Sequence, residues 1–139
     1  MYLLDTNTLI YFFKQQGFVA AHLQQVQASQ IALPSVVLFE LEYGLLRSTK
    51  PEAQQRGVDA AVAAYRVLPL DAKCAKAAAR VRYTLEVAGT PIGHGDLLIA
   101  GIALANDLTL ITRNTREFSR VAGLRLENWF DTPPAVPPS

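Results

Sequence analysis

Apolar and polar positions recur along the chain with two periods, and the switches between them define the expected elements. Met1-Tyr2-Leu3-Leu4 is a short apolar run of the kind that forms a strand buried on both faces. Asp5-Thr6-Asn7-Thr8 closes it, and Leu9-Ile10-Tyr11-Phe12-Phe13 begins a helix. Phe18, Val19, Leu23 and Val26 recur near helical spacing and predict a second helix from Phe18 to about Ala28. Gln30–Leu33 predicts a brief strand, and Ser35 is the expected N-cap of a helix from Val36 to Arg47. Pro51 suits the first turn of a helix running to about Arg66. Val67–Leu70 predicts another strand, which Pro69 places at an edge. Asp71 then caps a long Ala-rich helix that ends near Ala88-Gly89. A Pro- and Gly-containing loop from Thr90 to Gly95 precedes an apolar helix from Asp96 to Asn106. A strand over Leu108–Ile111, a short helix over Thr115–Arg120 and a strand near Leu124–Leu126 complete the order.

Strands alternating with helices predict an α/β chain, a three-layer α/β/α sandwich around a mostly parallel sheet. One domain is expected over 1–130, followed by a Pro-rich flexible tail over 131–139. With 139 residues the chain can bury a real core.

Composition narrows the function mainly by exclusion. Hydrophobic residues make up 50% of the chain, yet no apolar run reaches the roughly 18 residues of a membrane span. The start lacks the basic, apolar and small-residue pattern of a secretion signal, so a cytoplasmic protein is expected. Cys74 is the only cysteine, and with His22 and His94 far apart no zinc site can be assembled. The net charge of +1 does not announce a nucleic-acid binder. Arg113, Arg116, Arg120 and Arg125 nevertheless cluster near the C-terminus, where they offer contacts to phosphates or a solvated face.

Three acids in apolar surroundings carry the candidate chemistry. Asp5 sits at the carboxyl end of the first strand, where ligands collect in open α/β sheets; a simple helix cap is the alternative. Glu40 lies in a helix that is apolar almost all round and should be largely buried, which is costly for a carboxylate unless it is paired or bound to a metal. Gly44, one turn on, leaves room beside Glu40, whereas Leu46 leaves none beside the competing Glu42. Asp96 opens an apolar helix after a loop whose glycines allow a close approach. If Asp5, Glu40 and Asp96 converge, their mutual repulsion calls for a cation, and all-oxygen donors select magnesium or manganese. Such an ion activates water and polarises phosphoryl oxygens, the chemistry of a nuclease or phosphohydrolase. Thr112 and Asn114 should emerge at the same sheet edge, placed to hydrogen-bond a ligand carboxylate or a metal-bound water. Glu117 offers a fourth carboxylate or a surface partner for Arg113 or Arg120.

Leu3-Leu4-Asp5-Thr6-Asn7, Glu40-Leu41-x-x-Gly44, Asp96-Leu97-Leu98-Ile99-Ala100 and Leu110-Ile111-Thr112-Arg113-Asn114 stand in the order and spacing of a PIN domain. The chain most resembles the VapC toxins of type II toxin–antitoxin systems. That resemblance implies a magnesium- or manganese-dependent endoribonuclease with Asp5, Glu40 and Asp96 as its acidic cluster. Asn7, Thr112, Asn114, Arg113 and Arg116 are then candidates for contacts to substrate or to the ligating groups. It also implies a homodimer and a cognate VapB-type antitoxin lying in the active-site groove. The family's fourth acid often follows the strand in a Thr-x-Asp pattern; here that position is Asn114, and Glu117 becomes the candidate replacement. The run Asn114-Thr115-Arg116-Glu117-Phe118 resembles a subgroup that includes toxins cutting initiator tRNA, which points to tRNA.

Rival readings differ in specific residues. A phosphohydrolase of the haloacid dehalogenase type needs Asp-x-Asp, and the second position is Asn7. A receiver domain needs an acidic pair after the first strand, which is missing. A PIN-like module that binds RNA or a partner without cutting stays open.

Overall fold

The structure, a computed structural model, describes residues 1–135. Its centre is a strand triplet that is apolar because both faces are covered. Strand β1 (Tyr2–Leu4) pairs in parallel with β2 (Ile31–Pro34) on one side and β4 (Thr109–Ile111) on the other. Edge strands β3 (Arg66–Leu68) and β5 (Leu126–Glu127) pair in parallel with β2 and β4, giving the order β3-β2-β1-β4-β5. Leu3, Leu4, Leu110 and Ile111 are fully buried.

Eight-residue α1 (Thr6–Phe13) and α2 (Val19–Gln25) link β1 to β2. Helices α3 (Ser35–Arg47) and α4 (Glu52–Ala64) link β2 to β3. From β3 the chain returns through α5 (Ala72–Val87) and α6 (His94–Ala105) to β4, and α7 (Thr115–Phe118) leads to β5. Right-handed crossovers put the helices of the first half on one face and α5–α6 on the other. The chain therefore reverses direction across the sheet at β1 and β4, and a crevice opens beyond their carboxyl ends.

The α5–α6 contact explains the small residues of α6. A Cβ built on Gly101 would lie 2.7 Å from both the Ala78 Cβ and the Cys74 carbonyl oxygen. Cys74 is thus a buried packing residue, its thiol directed at the Pro69 carbonyl 3.7 Å away. Asp71 caps α5 as expected, accepting from the Cys74 amide at 3.0 Å, and Gly89 ends it with φ of +74°.

Several expectations are corrected. Ser35 is the first helical residue of α3 rather than its cap, because Pro34 holds the capping position and the Ser35 hydroxyl accepts from the Leu70 amide at 3.2 Å. Helix α3 is not buried all round: Val37, Leu41 and Leu45 face the core, whereas Phe39, Tyr43 and Leu46 are 70%, 54% and 86% exposed. The second helix stops at Gln25, and a 3-10 turn over Ala28–Gln30 leads into β2. The tail boundary also moves. Asp131 accepts from Arg113 and Asn128, and His22 bonds the Thr132 carbonyl at 2.6 Å while stacking on Trp129, so the chain is fastened through 132. Of the tail proposed for 131–139, residues 136–139 lie outside the described residues.

Candidate active site

Asp5 follows β1 directly, and its backbone amide donates to the Ile111 carbonyl at 3.2 Å, extending the β1–β4 pairing by one residue. The expected helix cap and the expected position at the strand end are both present. Its Oδ1 accepts from the Thr8 amide at 2.9 Å and caps α1. Its carboxyl is also buried at 6% exposure, at the switch point of the sheet. Burial raises the Asp5 pKa, and hydrogen bonds from Thr8 and Thr112 act against that rise. Thr8 is itself pinned, donating its hydroxyl to the Ile111 carbonyl at 3.1 Å.

Glu40 is half-buried on α3, whereas Glu42 is exposed. The room for Glu40 does not come from Gly44. A Cβ there would meet only the Gln54 Nε2, at 3.8 Å. The residue that makes room is Gly95, in the first turn of α6, where a Cβ would lie 3.1 Å from Glu40 Oε1. The α6 cap is Gly93, so Asp96 is three residues inside the helix and its carboxylate is not spent on capping. Glu40 and Asp96 open onto a groove of about 690 Å³ walled by Phe39, Leu70 and Leu98, with His94 at its rim.

The acids register one another electrostatically at Asp96. Its pKa is raised to about 6, first by burial and then by the negative charges of Asp5, Glu117 and Glu40. None of these four forms an ion pair with Lys or Arg among the described residues. A carboxyl pushed upward by burial and by like charges in a cleft is a functional-site candidate.

Thr112 and Asn114 follow β4 at the same sheet edge as Asp5. The Thr112 side chain is fully buried and accepts from the Asn114 amide at 3.0 Å. The Asn114 side-chain amide donates to Glu117 Oε2 at 3.1 Å. Glu117 is therefore held by Asn114 rather than by Arg113 or Arg120.

The expected arginine cluster disperses. Arg113 pairs with Asp131 at 3.1 Å and lies 3.7 Å from the Phe130 ring centre, which fastens the C-terminal segment instead of presenting a cation to substrate. Arg125 pairs with Asp107 at 2.9 Å, and Arg120 donates to the Pro91 carbonyl at 3.4 Å. Arg116 and Asn7 are exposed. Sequence reasoning read the glycines before Asp96 as allowing a close approach; what it missed is that Gly95 makes that approach to Glu40.

The PIN domain family model matches residues 2–124. The chain belongs to the PIN domain family. It is similar to ribonuclease VapC2 of Rickettsia felis, 37% identical over 131 residues, covering 93% of this chain and 98% of that protein. It is also similar to the tRNA(fMet)-specific endonuclease VapC of Salmonella typhimurium, 34% identical over 128 residues, covering 92% and 97%. Among solved structures, VapBC2 from Rickettsia felis bound to a promoter DNA fragment superposes with a TM-score of 0.85 at 38% identity, covering 92% of this chain and 98% of that one. The family match spans all four motif regions, from Asp5 to Glu117.

The PIN domain's acids fit a hard divalent ion in their donor chemistry: carboxylate oxygens, short of cationic partners, with a cradle at Gly95 that any Cβ would fill. As placed, no three acidic, histidine or cysteine side chains among the described residues stand close enough to hold one ion. Burial raises Asp96 first and the neighbouring negative charges second, and a bound cation would offset both.

Proposed function

We propose that this chain is the toxin of a type II toxin–antitoxin system, an endoribonuclease that cuts phosphodiester bonds in tRNA with a divalent metal ion. The observation that carries the reading is the setting of Asp96, whose carboxyl is raised to about 6 first by burial and then by the negative charges of Asp5, Glu117 and Glu40. Support comes from relatives named ribonuclease VapC2 and tRNA(fMet)-specific endonuclease VapC.

Asp5, Glu40 and Asp96 would hold the ion, and magnesium or manganese suits their oxygen donors. Bound there, it would supply positive charge to the scissile phosphoryl group and ease deprotonation of the attacking water. The Thr8 amide holds Asp5 and Asn114 holds Glu117, so these two carboxylates are oriented before substrate arrives. In this reading Glu117 is the fourth acid and would accept a proton from the attacking water. The groove between α3 and α6 admits the RNA strand at Glu40 and Asp96.

A VapB-type antitoxin covering this groove would silence the toxin, a reading supported by solved VapBC complexes from Rickettsia felis and Salmonella typhimurium. The exposed strip Phe39, Tyr43 and Leu46 on α3 supports an assembled toxin, which we assign to a homodimer. None of the helices among the described residues is long and apolar enough to cross a membrane, in keeping with a cytoplasmic toxin.

The test is incubation of the antitoxin-free chain with total tRNA in magnesium, in manganese and in EDTA, with D96N alongside. Discrete fragments that need metal and vanish in D96N are the expected result. Uncut tRNA from a folded chain that binds manganese would redirect the search to another RNA. Uncut RNA without metal binding would make the chain a non-cutting binding module.

A further inference from the structure

An acidic centre repels the polyanion it must cut, so the attraction has to come from elsewhere on the surface. Two of the expected C-terminal arginines do not provide it, since Arg113 and Arg125 are paired with acids. Cations of α5, joined by Arg120 of that cluster, do. Lys73, Lys76 and Arg80 fall along one face of α5, and with Leu104 and Ala105 they line a groove of about 260 Å³. A second groove of about 280 Å³ shares Ala77, Arg80 and Leu104 with the first and continues to Arg120 beyond α7. No acidic side chain lines either groove.

We propose that this continuous channel along α5 holds the phosphate backbone of the RNA, an inference that rests on the ribonuclease reading. Spacing supports it first. Lys73, Lys76 and Arg80 stand at i, i+3 and i+7, so like charges are stacked on one helix face, which destabilises an isolated helix by roughly 0.2–0.5 kcal/mol per pair. The one acid further along α5, Glu86, is paired with Arg82 at 2.9 Å and does not relieve them. Shape is the second support. Between Lys73, Lys76 and Arg80 the wall holds the small Ala77 and Ala105 beside Leu104, which leaves room for a sugar–phosphate chain, and towards Arg120 the groove is lined by Val81, Leu85 and Val121.

Position is the third. Arg120 lies one helical turn past Glu117 and donates to the Pro91 carbonyl, in the loop that delivers Gly95 and Asp96. The channel therefore begins at the border of the acidic centre. From Lys73 to Arg80 it runs on the order of 10 Å along the helix axis, enough for about two phosphates at the roughly 6 Å reach of an extended nucleotide strand, with Arg120 available to a third. An RNA seated in it is steered by charge that carries no sequence information, which leaves base recognition to the groove at Glu40.

Binding of total tRNA is measured as a function of salt, by filter retention, in the cleavage-dead D96N chain. K76E with R80E is compared with a charge-matched control, R56E with R66E, whose sites are exposed on α4 and β3. The channel variant is expected to bind roughly tenfold or more weakly, with a salt slope smaller by about 1.5. The control is expected to stay within about twofold of the parent, with little change in slope. In the otherwise unaltered chain, the channel variant is expected to cleave with raised KM and retained kcat. Equal losses in variant and control would reduce the effect to net charge and overturn the channel. Parent-like affinity and slope in the channel variant would overturn it too, and would leave the face to an acidic protein partner. A parent chain that neither binds nor cuts RNA would instead bring down the ribonuclease reading, and the channel with it. A K76Q with R80Q pair checks folding, since neutral side chains at these exposed positions should leave Tm unchanged while still weakening binding.

Discussion

The side-chain amide of Asn114 donates to Glu117 Oε2 at 3.1 Å, so the residue standing where an acid is often found in this family orients the acid three positions later. In the proposed site Glu117 supplies the fourth negative charge, held by the neutral Asn114 side chain. N114A should therefore lower cleavage of tRNA by roughly 10–100-fold, the usual effect of removing a group that orients a catalytic or ligating side chain. E117A should cost at least as much. N114D places a carboxylate beside Glu117 and should be no better than N114A; wild-type rates in N114A would show that Glu117 needs no orientation.

Asp96 sets a trade between stability and activity. Its carboxyl titrates near 6 in the folded chain, against an ordinary value of 3.8. Below about pH 4 both folded and unfolded chains hold the proton, and the site costs nothing. As pH rises towards 6 the folded chain keeps a proton the unfolded chain has released, so stability falls through this window and the full penalty stands above it. D96N removes that penalty. In EDTA it should melt above the parent at pH 7.5, with the gain fading to nothing near pH 4, while cleavage is lost. Added manganese should raise the parent's Tm and leave D96N nearly unmoved. A Tm difference that stays constant from pH 4 to 7.5 would contradict the raised Asp96 carboxyl.

Much of this was legible before the structure. The buried run ending at Asp5 and the apolar α6 announce a parallel sheet with acids at its edge, because a doubly covered strand has only one kind of sequence. Asp71 and Gly89 mark the ends of α5 by local chemistry alone. What was not legible depends on contacts between distant segments. Gly44 and Gly95 look alike in sequence, and only the approach of α6 to α3 decides which one faces Glu40. Likewise Arg113 reads as a free cation until Asp131 and Phe130 fold back over it. The apolar outer face of α3 reads as buried because hydrophobicity does not say whether the cover is the same chain or another.

The two glycines give a sharp contrast. In G95A the new Cβ would stand 3.1 Å from Glu40 Oε1, the end of a flexible side chain. The carboxylate must shift, so cleavage should fall by about tenfold or more with little change in Tm. In G44A the Cβ has only ordinary contact with Gln54, at 3.8 Å. Replacing a mid-helix glycine by alanine there should stabilise the chain by about 0.5–1 kcal/mol and leave cleavage untouched. Reversed outcomes would return Gly44 to the site.

The exposed strip on α3 sets the last expectation. Phe39, Tyr43 and Leu46 recur at i, i+4 and i+7, one helical face, and Leu46 is 86% exposed. Leaving a leucine of that kind in water forgoes roughly 1.5–3 kcal/mol of burial per side chain, and a contiguous strip of three is a mark of an interface. In the homodimer reading, L46E puts a charge into that interface without disturbing the core face of Val37, Leu41 and Leu45. Light scattering should then report a monomer for L46E and a dimer for the parent, with secondary structure intact. Phe39 also walls the groove that holds Glu40 and Asp96. Dissociation should consequently lower cleavage as well, more than the distance from Leu46 to the acids alone would suggest. A dimer that survives L46E would move the second copy to another face and leave the strip to the antitoxin, in which case L46E should weaken capture of the antitoxin instead.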